Sequence, residues 1–241
     1  MRVKAVISYD GSAFYGFQRQ ASTPLTVTQQ IEKVLKNLQI NTTITGSGRT
    51  DRGVHATGQV IHFDLPPFWR DLNKLKLILN RRLSAISFRD IVSVSPSFHA
   101  RFSAQKRLYR YIFKSEPLSV FERKYVACYP EIEHKEILIR ALNAFCGTHD
   151  FLYFHKTGSD IHTTVRTIYS AHYYTYKNYH VITFKANGFL RSQVRLMVDA
   201  AMSCAKGNIT IEMLQAQIAC KMQLHTTLAP AEGLYLSKIY Y

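Results

Sequence analysis

What most limits the fold of this chain is a hydrophobic period that keeps changing along its first half. Residues 3 to 9 alternate as a strand and stop at Asp10-Gly11-Ser12, a turn signature. Thr26 through Gln29 form a capping box, after which Val27, Ile31, Leu35 and Leu38 share one helical face. Val60-Ile61-His62-Phe63 is strand-like. Beyond the break at Pro66-Pro67, Phe68, Leu72, Leu75, Leu79 and Leu83 recur at helical spacing, and Ile91-Val92-Ser93-Val94 closes the series as a strand. The first half therefore reads strand, helix, strand, helix, strand. Arg70, Lys74, Arg81 and Arg82 decorate the second helix, where a solvated face is a commoner role than phosphate contact.

One polar stretch interrupts this order: Gly46-Ser47-Gly48-Arg49-Thr50-Asp51-Arg52-Gly53-Val54-His55, continuing as Ala56-Thr57-Gly58-Gln59 into the strand at Val60. It is too polar and too rich in glycine for a core element, so it reads as a shaped loop. Asp51 sits between Arg49 and Arg52, and guanidinium neighbours would hold an aspartate ionised, as a nucleophile requires. By local pattern alone, a plain turn carrying a surface ion pair is the commoner origin of such a run.

The chain has 241 residues, enough for one large domain or two small ones, and its 46% hydrophobic content is that of a globular protein. A formal charge of +15, from 31 basic and 16 acidic residues, meets the first condition for a nucleic-acid partner. No long apolar span or basic amphipathic anchor points to a membrane, and the first ten residues lack the apolar region of a signal peptide. Cys128, Cys146, Cys204 and Cys220 are scattered, which favours reduced thiols and a cytoplasmic location over a disulfide framework. His149, His155 and His162 fit no zinc spacing, so no metal site is expected.

In the second half, Lys106-Arg107-Leu108-Tyr109-Arg110-Tyr111-Ile112-Phe113 alternates as a strand, with Tyr109, Tyr111 and Phe113 on one face. Rings interleaved with guanidiniums suit RNA, although Tyr111 and Phe113 read more simply as core. Ile137, Leu138, Ala141, Leu142 and Phe145 form an amphipathic helix, followed by a polar loop around Ser159-Asp160. Strands at 166–174 and 179–186 are joined by a turn at Lys177-Asn178. Asn187-Gly188-Phe189-Leu190-Arg191-Ser192-Gln193-Val194-Arg195 then opens a helix, on which Arg191 and Arg195, four apart, would share a face.

Taken together, these segments resemble the tRNA pseudouridine synthase A family. The family's Gly-Arg-Thr-Asp-x-Gly-Val-His-x-x-Gly-Gln-Val motif matches at 48–60, and the resemblance makes Asp51 the catalytic residue. Arg52 stands where the family usually has alanine, and Phe17 replaces a tryptophan near the start, keeping an apolar plate without the indole donor. The Phe-His-Ala-Arg-Phe-Ser-Ala segment at 98–104 leads to Tyr109, which the resemblance places against the target base. Phe189 with Val194-Arg195 matches a segment whose arginine, here Arg195, pairs with the catalytic aspartate. Leu234, in the terminal Gly-Leu-x-Leu, is expected to line the pocket. Arg49 is expected at the substrate, and Arg52, His55 and Arg191 at the RNA.

The resemblance implies an α+β protein of two similar ferredoxin-like, RRM-like halves. Their mainly antiparallel sheets would join into one central sheet with helices outside and the active cleft between the halves. Residues 1–97 would form the first half, with the catalytic loop, and 98–241 the second. It further implies isomerisation of uridine to pseudouridine at positions 38 to 40 of the tRNA anticodon stem-loop, by a homodimer that needs no cofactor. A non-catalytic tRNA-binding or chaperone protein on the same fold is the alternative; a metal-dependent nuclease would need clustered carboxylates that the key loop lacks.

Overall fold

The computed structural model describes residues 1–158 and 162–241; the polar loop read around Ser159-Asp160 lies outside the described residues. The fold is mixed α and β, with mostly antiparallel strand pairing and five α-helices among the described residues. Two compact units divide the chain, Met1–Gln105 with Tyr235–Tyr241, and Lys106–Leu234.

The first unit is a sheet in the order β4-β1-β3-β10, built from β1 (Arg2–Tyr9), β3 (His55–Asp64), β4 (Ile86–Ser93) and β10 (Leu234–Tyr240), with the short β2 (Thr45–Gly46) on β3. β1 lies antiparallel to both β3 and β4, with Ala5 opposite Ile61 and Ile91. The alternation in β1 sends Val3, Ala5, Ile7 and Tyr9 inward, while β3 is buried along most of its length. β3 is much longer than its apolar residues predict. It begins at His55, so Ala56-Thr57-Gly58-Gln59, read above as loop, is paired strand. β10 runs parallel to β3, Tyr235 opposite His55, and Gly58 permits this: a Cβ there would lie 2.2 Å from the Ser237 carbonyl oxygen. The last strand in sequence thus completes the first unit.

Helix α1 (Val27–Asn37) starts where the capping box predicts, with Thr26 Oγ1 accepting from the Gln29 amide at 3.3 Å. Val27, Ile31 and Leu35 are fully buried, each contributing roughly 1.5–3 kcal/mol by apolar transfer. Helix α2 (Leu72–Arg82) is capped by Asp71 and buries Leu75 and Leu79. Phe68, read as its first apolar residue, lies before the cap and is 62% exposed, because the chain turns at Pro66, whose carbonyl accepts from the Trp69 amide. Asn80 brackets Phe88 through both backbone groups, at 3.0 and 2.6 Å, and ties α2 to β4.

The second unit is a sheet in the order β5-β9-β8-β7, made of β5 (Lys106–Lys114), β7 (Gly147–Asp150), β8 (Val165–Tyr176) and β9 (Tyr179–Ala186), with β6 (Ala127–Cys128) beside β5. β8 and β9 form a hairpin that closes at Lys177, with φ at +54°. Tyr109, Tyr111 and Phe113 of β5 all face inward. Helices α3 (Lys135–Ala144), α4 (Gln193–Ala205) and α5 (Ile211–Ile218) complete the unit. Nearly every residue of α4 is buried; Arg195 and Asp199, on one face, are the two that are only half-buried. Among the described residues no helix is long and apolar enough to cross a membrane.

Candidate active site

In the first unit, the Asp51 loop is held from several directions. Ser47 donates its amide to the Val60 carbonyl (2.8 Å) and its hydroxyl to Gln59 Oε1 (2.6 Å). The buried Gln59 side chain also donates to the Gly48 carbonyl at 2.8 Å, so one amide fixes both sides of the loop's first turn. On the other flank the Phe17 amide donates to the Thr50 carbonyl (3.1 Å), and Tyr9 Oη and Thr50 Oγ1 share a buried hydrogen bond at 2.8 Å. Phe17, 5% exposed, packs against Gly46, where its ring leaves no room for a side chain. Phe17 is thus a buried apolar plate beside the loop.

Asp51 is partly exposed, at the start of a turn closed by the Val54 amide on the Asp51 carbonyl (3.2 Å). Gly53, at φ +81°, supplies the left-handed step of that turn. Gly11 meets the turn from below: a Cβ there would lie 2.1 Å from the Val54 carbonyl oxygen. The shape is therefore specified by backbone approach on one side and hydrogen bonds on the other.

The neighbouring charges do not behave as their order in sequence suggests. Among the described residues neither Arg49 nor Arg52 forms an ion pair; the Arg52 guanidinium lies 4.3 Å from the centre of the Tyr15 ring. That contact gives Arg52 an aromatic partner. Arg49 is exposed. His55, expected at the RNA, is only 2% exposed; its Nδ1 accepts from the Gly11 amide at 3.0 Å and its ring stacks on Tyr235 at 4.7 Å. Asp10 Oδ1 lies 3.4 Å from the same nitrogen but takes the Ser12 amide and hydroxyl, so the geometry fits a ring whose proton sits on Nε2. His55 is a framework residue here.

In the second unit, Tyr109 is 7% exposed and meets Phe189 edge to face at 5.1 Å. Arg195, in the first turn of α4, donates from Nε to the Ala229 carbonyl (2.6 Å) and accepts the Ala229 amide on its own carbonyl (3.2 Å). Leu234, buried, follows Gly233, which packs against the Ile112 carbonyl of β5. Arg195 and Leu234 are thus anchored by the two ends of one short segment. Arg191 is apart from them. It precedes the cap Ser192, whose φ of +60° breaks the helical course, so Arg191 and Arg195 do not share a helix face. Arg191 instead donates to the Thr157 carbonyl (3.2 Å) and lines a polar cavity of about 460 Å³ with His155, Lys156 and Gln223. Gln193 folds back to accept the Leu190 amide at 2.8 Å, which fixes the chain just before the helix.

Among the described residues no three His, Cys, Asp or Glu side chains cluster as a metal would require. Two supports went unread in the sequence. Gln59 lies in the glycine-rich stretch, and its signal is an amide just ahead of the apolar run Val60-Ile61. Tyr9 and Thr50 meet across forty residues of chain, and nothing local announces such a pair.

The family profile described as tRNA pseudouridine synthase matches residues 5–103 and 141–241. The tRNA pseudouridine synthase A of Helicobacter hepaticus is 39% identical over 99% of this chain and 98% of its own length. Those of Streptococcus agalactiae and Campylobacter jejuni are 39% and 37% identical, each over the whole of this chain and over 95% and 100% of their own. A solved chain of a Cbf5-Nop10-Gar1 complex aligns with 81% of this chain and 44% of its own, at 12% identity and a TM-score of 0.33, too slight a likeness to carry an argument. With both blocks of the profile matched and relatives aligned from end to end, the chain belongs to the tRNA pseudouridine synthase family.

Proposed function

We propose that this protein converts uridine to pseudouridine in tRNA, at positions 38 to 40 of the anticodon stem-loop, with Asp51 as the nucleophile. The reaction breaks the bond from the ribose to N1 of the base, turns the base, and rejoins it through C5. A proton leaves C5 and one is gained at N1, so substrate and product are isomers and no redox partner or energy source is consumed. The chemistry asks for an ionised carboxylate at the sugar or ring, a pocket for an extruded base, and cationic surface for the backbone. Asp51, on a loop whose backbone is fixed from both flanks, is the candidate for the first; that rigidity is the observation that carries the assignment. Tyr109 serves as the plate for the base, Leu234 as an apolar wall, and Arg195 as the guanidinium that pairs with the aspartate. Arg49 contacts the substrate, and Arg52 and Arg191 the RNA backbone. A homodimer acting in the cytoplasm completes the proposal, as do two related ferredoxin-like halves.

Incubation with an unmodified tRNA transcript, followed by mapping of pseudouridine, tests the reading. Product within 38 to 40 is expected. A transcript bound but left unmodified would favour the non-catalytic alternative, and product elsewhere would overturn the position assignment.

A further inference from the structure

We propose that Asp199 and His225 are positioning residues that set the guanidinium of Arg195 for the reaction, acting through the strap of chain that carries Ala229. The inference rests on the role given to Arg195 above. Helix α4 carries Arg195 and Asp199 four residues apart, hence one turn apart on one face. Between α5 and the terminal strand the chain runs past α4 without helix or paired strand until residue 231. Three hydrogen bonds clip it there. His225 Nε2 lies 2.9 Å from Asp199 Oδ2, and four residues later the Ala229 carbonyl accepts from Arg195 Nε at 2.6 Å while the Ala229 amide donates to the Arg195 carbonyl at 3.2 Å. Helix and strap thus run in opposite directions.

The His225–Asp199 clip is backed by further polar groups. Asp199 Oδ1 accepts from Tyr129 Oη at 3.0 Å, so both oxygens of the carboxylate have donors. Burial by itself raises the pKa of Asp199, but the hydrogen bonds from His225 and Tyr129 outweigh it and hold the group below the usual carboxylate range. The His225 backbone is gripped by Gln217, 1% exposed, whose Oε1 accepts the Leu224 and His225 amides (2.9 and 2.7 Å) and whose Nε2 donates to the His225 and Tyr153 carbonyls (2.8 and 3.1 Å). A network this fully bonded is stiff.

The consequence falls on Arg195. A guanidinium has five N–H donors in one plane, and committing Nε to a fixed carbonyl orients the four on Nη1 and Nη2. If the Ala229 carbonyl moves, that plane turns, and a displacement of about 1 Å at a reacting centre can cost about 100-fold in rate.

The test measures kcat and KM for pseudouridine formation on unmodified tRNA, with tRNA Kd and thermal melting, for Asp199→Ala, His225→Ala, His225→Gln, Arg195→Ala and the double variant Arg195→Ala/Asp199→Ala. Asp199→Ala and His225→Ala should each lose roughly 10- to 100-fold in kcat while Kd stays within about twofold. His225→Gln, which restores an N–H near the Nε2 position, should recover most of the rate. The double variant should be no slower than Arg195→Ala alone, since a residue acting through Arg195 has nothing left to act on. Additive losses in the double variant, or a wild-type kcat in Asp199→Ala, would overturn the positioning role. If Asp199→Ala melts below the assay temperature, equal loss in His225→Ala and His225→Gln overturns it instead. A wild-type rate in Arg195→Ala would sink the assignment of Arg195 itself, whereas a slow Arg195→Ala beside a fast, folded Asp199→Ala sinks only the inference drawn here.

Discussion

The conformation around Asp51 depends on single atoms that other residues must not carry. Gly11 is the sharpest case, because a methyl group there would overlap a backbone carbonyl that no rotamer change can move. Gly11→Ala should lower stability by roughly 1–3 kcal/mol in urea unfolding, as overpacking does, and should reduce turnover by displacing the Asp51 turn. An unchanged unfolding midpoint would mean the loop yields more easily than its hydrogen bonds imply. At this scale the sequence was partly legible. Asp51 and its glycines stood out by type and spacing, and Phe17 as an apolar plate, whereas Tyr9 and Gln59 did not: they reach the loop from β1 and β3, and their roles exist only once the sheet is formed. Charge was the least legible feature. Adjacency in sequence suggested that Arg52 serves Asp51, yet its guanidinium found an aromatic face.

Elements were read well where a local rule governs them, and poorly where tertiary pairing does. The start of α1 follows from the capping box, and Thr26→Ala should cost about 1 kcal/mol of stability, measured by chemical unfolding. The start of β3 could not be read, because its polar first residues pair with β1 and β10 and owe their extended state to those neighbours. The course of the chain before α4 was misread for a similar reason: Ser192 in the left-handed region ends the helical path that the spacing of Arg191 and Arg195 implies. One element offers a pH test. Glu122 accepts from Lys114 Nζ (2.6 Å), Tyr179 Oη (2.7 Å) and the Ser119 amide and hydroxyl, and these bonds hold its pKa down to about 2. A depressed carboxylate stabilises the folded form above its unfolded pKa and loses that effect as pH falls through the folded value. Protection factors for amide exchange across residues 115–126, normalised for the intrinsic pH dependence of exchange, should therefore be unchanged from pH 7 to 5 and fall between about pH 4.5 and 2. A loss of protection already at pH 6 would contradict this anchor.

For the whole molecule, the +15 charge is the property most directly visible in the sequence and the one with the clearest solution signature. The log Kd for tRNA should rise linearly with log salt; neutralising about six to ten phosphates predicts a loss of affinity of roughly 10³- to 10⁵-fold between about 50 and 200 mM. A flat salt response would mean the charge is not engaged by the RNA. The surface that binds and the group that reacts are separable, and their separation tests the central claim. Steady-state pseudouridine formation by Asp51→Asn on unmodified tRNA, with Kd measured on the same preparation, decides it. The account predicts a fall of at least about 10³-fold in kcat with Kd within about twofold of wild type. Pseudouridine at the wild-type rate from that variant would contradict it.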